Sequence, residues 1–233
     1  MSTVSIVYEI SIPKHEDKTF ALELDERTFV RVDPPMAPPP DWVKLSFHQC
    51  SNCPLSNDNH LMCPLALRLV DVVEYGNSLA SYQKVHVTVT TSQRSITKNT
   101  TAQAALSSLM GLISATSDCP HTRFLRPMAR FHLPFADNQE TVYRIVSMYL
   151  LGQYFSHKRD EPFDYALEEL EARYQDLHTL NLYIAKRLIS VAVEDSAINA
   201  LTKLDTFSLV LTREIRDSLR KLEPLFYQEP DGT

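Results

Sequence analysis

The residues best suited to chemistry in this chain of 233 residues are its four cysteines. Cys50 and Cys53 form a C-x₂-C pair, and Cys63 follows after nine intervening residues. A C-x₂-C pair places two thiolates on one tight loop, where both can reach a single metal ion. Tetrahedral coordination needs a fourth ligand, and Cys119 is the cysteine that remains. The sequence therefore predicts a metal site made of these four residues.

The fourth ligand and the metal both have alternatives. Zinc is the usual metal of a closed four-cysteine site. An iron–sulfur cluster is the alternative, because three of the cysteines precede proline, and a Cys-Pro ending also occurs in bacterial ferredoxin ligand runs. Cys63 and Cys119 could instead be small buried apolar residues beside an incidental or redox-active C-x₂-C pair. Three histidines are the candidate substitutes for a cysteine ligand: His48, His60 and His121.

A second candidate site lies in residues 121–135, a segment interrupted by prolines. Arg126 and Arg130 could donate hydrogen bonds to an anion or carboxylate, with Arg123 beside them and His132 as an acid or base. The competing interpretation is that these arginines pair with acidic side chains of the same chain. Under the first interpretation, Arg126, Arg130 and His132 bind the ligand.

The composition and charge of the chain argue against several classes of function. The net charge of −6 argues against a nucleic-acid surface, which needs clustered Lys and Arg. No run approaches the roughly 20 apolar residues of a membrane span, and the start does not resemble a secretory signal. Four cysteines without such a signal suggest a reducing, cytoplasmic location. Phosphate-binding glycine loops and G-x-S-x-G are absent, so the sequence leaves open whether the protein is an enzyme.

The elements that must position these residues begin with alternating apolar side chains. Residues 6–12 and 20–24 alternate on either side of a polar turn, which predicts a hairpin of two half-buried strands. Residues 29–32 are a candidate for a further short strand. Residues 85–89 alternate again, and we expect residues 94–98 to pair with them.

Apolar residues at helical spacing dominate the remainder of the chain. Proline suits the first position of a helix, and Asp or Asn can cap the residues that follow it. The predicted helix starts are Pro64, about Thr101, Asp137 or Asn138, and Asp164.

A last helical stretch covers residues 198–222 and is predicted to break near Thr212. Strands first and helices later predict an α+β fold, with an N-terminal antiparallel sheet and a helical C-terminal half. We expect residues 1–100 to be mostly β and to carry a cysteine loop at 48–63. Residues 101–227 form the helical region that packs on it, in one domain.

Both cysteine segments carry further residue patterns that resemble a known family. The first is His48-Gln-Cys50-x-x-Cys53-Pro followed by Cys63-Pro, and the second runs from Cys119-Pro-His121 through Phe-Leu-Arg-Pro-Met-Ala-Arg-Phe-His-Leu-Pro-Phe. Together they resemble a bacterial family of uncharacterised proteins, a domain of unknown function. The resemblance implies a bacterial cytosolic protein in which both cysteine segments belong to one unit.

Two classes of function follow from these patterns. The first is a metal-stabilised module that binds another protein, or a second copy of this chain, or that senses metal or redox state. The second is an iron–sulfur protein or metal-dependent enzyme with an anion pocket of arginine and histidine beside the metal. The partner is expected to be neither a nucleic acid nor a membrane.

Overall fold

The protein has the predicted α+β architecture, with an antiparallel sheet in the N-terminal half and most of the helices in the C-terminal half. One residue of the predicted hairpin turn, His15, lies outside the part of the chain that the structure describes. The computed structural model describes residues 2–13, 16–35 and 38–227, without the side chains of residues 207, 210–214 and 216.

Four antiparallel strands form one sheet in the order β2-β1-β3-β4. Both strand pairs predicted from alternation are present. Residues 29–32 do not form a full strand, because only a single bridge joins Arg31 to Leu24. The strands are β1 (Thr3–Ser11), β2 (Lys18–Asp25), β3 (Lys84–Thr90) and β4 (Ser95–Thr101).

One face of the sheet is buried and the other faces solvent. Tyr8 lies opposite Phe20 on β2 and Val89 on β3, and all three side chains are buried. Glu9 and His86 point to the other face and are exposed. This alternation follows from the period of two along a strand, and it directs the apolar residues toward the helices.

The helices cover the buried face of the sheet. None of those in the described residues is both long and apolar enough to cross a membrane. Asp137 caps a helix as predicted, in a capping box with Glu140. The helices are α1 (Pro64–Gly76), α2 (Ala102–Thr116), α3 (Arg126–Arg130), α4 (Asn138–Lys158), α5 (Glu168–Ile189) and α6 (Ser196–Arg220).

Two predicted helix boundaries were wrong. Helix α5 begins at Glu168 and not at Asp164, because Leu167 adopts a left-handed backbone with φ of 68°. Asp164 lies before the helix but still stabilises its first turn, since its carboxylate accepts the N–H of Glu169 at 2.9 Å. Helix α6 continues past Thr212 to Arg220, because the small helix penalty of one threonine is outweighed by the contacts of the helix with α2 and α5.

The helices enclose two apolar cores. The larger core combines the sheet, α1, α2 and parts of α5 and α6, with Tyr8, Leu106 and Ile184 fully buried. The smaller core lies among α4, the first half of α5 and the last part of α6, around Tyr149 and Leu170. Helix α2 is buried on almost all sides and contacts the sheet, α1 and α6.

Candidate metal centre

The cysteine loop positions two thiols by a tight turn and a third at a helix start. The N–H of Cys53 donates to the carbonyl of Cys50 at 3.1 Å, which closes the turn. Cys63 occupies the N-cap position of α1, directly before Pro64, and its N–H donates to the carbonyl of Val43 at 2.8 Å. Cys63 is buried, whereas Cys50 and Cys53 are half-buried.

Cys119 lies in the turn that follows α2. The N–H of Cys119 donates to the hydroxyl of Ser117 at 3.4 Å. Its carbonyl accepts the N–H of Thr122 at 3.1 Å and the hydroxyl of Thr122 at 3.2 Å. This turn is buried, so the Cys119 thiol is held in the larger core with only 6% of its surface exposed.

A hydrogen-bonded bridge joins the two cysteine segments. Nε2 of His121 lies 2.8 Å from the carbonyl oxygen of Asn52, between Cys50 and Cys53. A carbonyl only accepts, so Nε2 carries a proton, and Nδ1 is the ring nitrogen that remains as a potential ligand. Nδ1 lies 3.8 Å from the carboxylate of Asp176, so the bridge leaves both Cys119 and His121 as candidates for the fourth ligand.

The thiols act on one another electrostatically. Burial raises the pKa of Cys50 to about 11, with further increases from the charges of Cys63 and Cys53. Burial also raises the pKa of Cys119 to about 12, and there the other three cysteines all add to the effect. Residues from three separate parts of the chain thus come within reach of one another's charge.

A buried arginine that sequence patterns did not single out lies against the segment that leads into the cysteine loop. Arg187 of α5 is 1% exposed and donates to the carbonyls of Trp42, Lys44 and Leu45 at 2.7 to 3.1 Å. Burial lowers its pKa, and the charges of the cysteines oppose that shift, Cys63 most strongly. The sequence feature that could have identified Arg187 is its position in the apolar stripe of the helix, three residues after Ile184.

The four thiol groups are not arranged around a common metal position. Among the described residues, no three His, Cys, Asp or Glu side chains are arranged so that they could hold a metal ion. Electrostatic coupling reaches well beyond a zinc–sulfur bond of about 2.3 Å. The four sulfurs therefore share one neighbourhood without ligand geometry, and a metal would have to draw them inward.

The other two substitute histidines occupy different surroundings. His48 has a left-handed backbone with φ of 46°, and its ring packs edge-on against Phe47 at 4.7 Å. His60 lies exposed in the loop before Cys63. Neither makes a contact with the buried cysteines among the described hydrogen bonds.

A family model described as Domain of unknown function (DUF6901) matches residues 6–227. The chain belongs to this family. No curated protein and no solved structure matches the chain. Both cysteine segments lie inside the family match, so they belong to one DUF6901 unit.

The arginines of the predicted anion site in this DUF6901 chain have protein partners. Nη2 of Arg126 lies 3.0 Å from the carboxylate of Asp118 and reaches the carbonyl of Ser117 at 3.4 Å. Arg130 is exposed and stacks its guanidinium over Phe29 at 5.5 Å. The ion pair of Arg126 is the acidic pairing of the competing interpretation, whereas Arg130 contacts aromatic rings and no described acidic side chain.

His132 has a different environment from the two arginines. Its Nε2 lies 2.6 Å from the hydroxyl of Tyr8, which in turn lies 2.8 Å from the hydroxyl of Ser108. The ring retains some surface toward a cavity but is otherwise surrounded by protein. Burial lowers the pKa of His132 to about 3, so the ring is neutral at physiological pH.

Proposed function

We propose that this protein binds one zinc ion through Cys50, Cys53, Cys63 and Cys119, and that the metal stabilises a module of the DUF6901 family. The observation that carries the proposal is that four free cysteines from three separate segments share the larger core. Cys63 and Cys119 are buried in it, and Cys50 and Cys53 pack against it. Grouped thiols with no disulfide are the donor set that zinc prefers in a closed site.

Charge balance supports the same assignment. Zinc with four thiolates carries a double negative charge, which is unfavourable in a buried site without compensation. Arg187 supplies one positive charge there, and no described carboxylate lies within 4.0 Å of its guanidinium. A buried cation next to cysteines rather than next to Asp or Glu fits a thiolate cluster.

The raised pKa values give the proposed site a defined proton chemistry. Thiols such as Cys50 and Cys119 are protonated at neutral pH without metal, and zinc binding releases their protons. Zinc affinity should therefore fall steeply as the pH is lowered. The metal would also link the loop, the start of α1 and the end of α2, so that metal binding adds to folding stability.

The cellular role belongs to the same proposal. Free cysteines fit the reducing conditions of a bacterial cytoplasm. A module whose segments are linked by a metal ion suits protein interaction or the sensing of metal or redox state. The partner, another protein or a second copy of this chain, stays a prediction.

Metal analysis of the purified protein tests the zinc proposal. Protein prepared in air and protein prepared without oxygen should both be colourless and contain one zinc per chain. Cobalt in place of zinc should give the absorption of a tetrahedral thiolate complex. A brown protein with iron and acid-labile sulfide would replace zinc with a cluster, and metal-free protein with four titratable thiols would overturn the site.

Single variants test the ligand set. Cys119→Ser should lower zinc content below one half and lower the unfolding temperature, whereas chelator should no longer destabilise this variant further. His60→Ala is the matched control, because His60 is an exposed member of the same loop. Full zinc content in Cys119→Ser would show that Cys119 is not a ligand.

A further inference from the structure

A cavity of about 270 Å³ lies between the two apolar cores. Strand β4, α2 and α3 form one side of it, and α4, α5 and α6 form the other. Its size is near the lower end of the roughly 300–1,000 Å³ typical of small-molecule sites. Much of the wall is apolar: Leu112, Met128, Ile145, Leu177, Leu180 and Leu204.

The charged residues of the cavity wall are all positive. Lys98, Arg144 and Lys203 line it, and the described lining contains no Asp or Glu. The whole chain carries a net charge of −6, so this local excess of positive charge is contrary to the overall composition. Asp205, beside the wall, is already engaged by Asn181 and by His178 at 2.9 Å. The wall therefore favours an anionic ligand.

Two hydrogen bonds fix the guanidinium of Arg144, but they use only one of its three nitrogens. Its Nη2 donates to the carbonyls of Met128 and Phe131, both at 3.0 Å. Its Nε and Nη1 have no acceptor among the described residues, and no described carboxylate lies within 4.0 Å. The charge of Glu140, one turn earlier, acts on Arg144 from beyond ion-pair distance, and its carboxylate accepts the N–H of Asp137 in the capping box. Because Nη2 already donates to both carbonyls, Arg144 can bind a carboxylate through single charge-assisted hydrogen bonds from Nη1 or Nε.

Tyr174 provides a second donor at the same wall. Its ring packs edge-on against Phe124 at 5.8 Å, and its hydroxyl makes no hydrogen bond to another described residue. Burial raises the pKa of Tyr174, while the charge of Arg144 acts on the same hydroxyl. The hydroxyl stays protonated and can donate to an anion that Arg144 holds.

We propose that this cavity binds a compact organic acid, with its carboxylate held by Arg144 and the Tyr174 hydroxyl and its apolar body against the leucine-rich wall. Lys98 and Lys203 add attraction for an anion that enters the cavity. The neutral ring of His132 and the hydroxyl of Ser108 are further groups that could contact a polar substituent. This site is separate from the cysteines and does not depend on the zinc proposal.

Titration with matched acids and amides tests the proposal. The probes are straight-chain carboxylates from butanoate to decanoate and the uncharged amide of each, added to the full chain as purified and followed by calorimetry and amide NMR. We expect at least one acid to bind at least tenfold more tightly than its amide, and to shift the signal of Gly111, which lines the cavity. Equal binding of acid and amide, or no binding by any acid, would overturn the proposal.

Two variants locate the binding groups. Arg144→Met keeps much of the apolar volume and should weaken acid binding at least tenfold while leaving amide binding unchanged. Tyr174→Phe removes only the hydroxyl and should weaken acid binding severalfold, which keeps the test valid if loss of the Arg144 hydrogen bonds prevents folding. Arg220→Met is the control, because Arg220 is exposed. Unchanged acid affinity in Tyr174→Phe and in Arg144→Met would overturn the assignment.

Discussion

Nε2 of His121 donates a hydrogen bond to the carbonyl oxygen of Asn52 at 2.8 Å, and so joins two segments 69 residues apart. The side-chain amide of Asn52 continues the chain of contacts to the carboxylate of Asp176 on α5 at 2.9 Å. The turn of Cys119 is therefore held against the C-x₂-C turn by contacts that need no metal.

Replacement of His121 tests this bridge. His121→Ala should lower the free energy of unfolding of chelator-treated protein by about 1 kcal/mol, the usual net contribution of a hydrogen bond. His121→Gln, which keeps a donor, should retain part of it. Urea unfolding measures the difference, with His60→Ala as the exposed control. A His121→Ala variant as stable as His60→Ala would show that the bridge contributes nothing.

Replacement of Arg187 should be far more damaging. Arg187→Ala leaves the carbonyls of Trp42 and Leu45 without a described donor in a buried region, at about 1–3 kcal/mol for each, whereas the carbonyl of Lys44 keeps the N–H of Phe47. We expect a loss of more than 3 kcal/mol, or failure to fold, together with reduced zinc content. Arg220→Ala, at an exposed ion pair with Asp217, should change stability by less than about 0.5 kcal/mol. Comparable losses in the two variants would contradict this role.

The neutral His132 predicts a loss of stability in acid. Its folded pKa of about 3 lies below the ordinary value of 6.5, so between these values the unfolded chain binds a proton that the folded chain does not. Stability is complete above about pH 6.5 and falls as the pH is lowered toward 3. The difference between wild type and His132→Gln, both metal-free, isolates this contribution in urea unfolding at several pH values.

The matched control for the acid prediction is His86→Gln, on the exposed face of the sheet. We expect the wild type to lose stability with acid more steeply than His132→Gln, and His86→Gln to follow the wild type. Parallel pH profiles for wild type and His132→Gln would contradict a neutral, buried ring.

Two glycines in helices should respond oppositely to alanine. A Cβ on Gly76 would lie 2.9 Å from Cβ of Ala197, so Gly76→Ala must push α1 and α6 apart and should lower stability by about 1–3 kcal/mol. A Cβ on Gly152 meets nothing within 4 Å, and Gly152→Ala should raise stability by about 0.5–1 kcal/mol. Thermal unfolding of both variants checks the sign of each change.

Local patterns predicted the elements of the fold better than their ends. Alternation located the sheet, and the side chains of Asp137 and Glu140 marked a helix start through short-range hydrogen bonds. The start of α5 was missed because Leu167 occupies a left-handed conformation that leucine rarely adopts, and no local pattern signals it. Tertiary packing determines that conformation.

Residue type and spacing predicted a site of four cysteines, which stays a prediction, but they did not predict the cavity. Arg144 lies outside the apolar stripe of α4 and has the sequence appearance of a surface residue. Its role depends on the carbonyls of Met128 and Phe131, which come from a different part of the chain. The proline-rich segment drew attention to Arg126 and Arg130, which contact Asp118 and the rings of Phe29 and Phe131.

Thr122 belongs to both proposed sites, since its hydroxyl donates to the carbonyl of Cys119 and its side chain lines the cavity. A substitution such as Thr122→Ala, which enlarges the cavity, also removes a hydrogen bond from the cysteine turn, so at this one position a change in either site reaches the other.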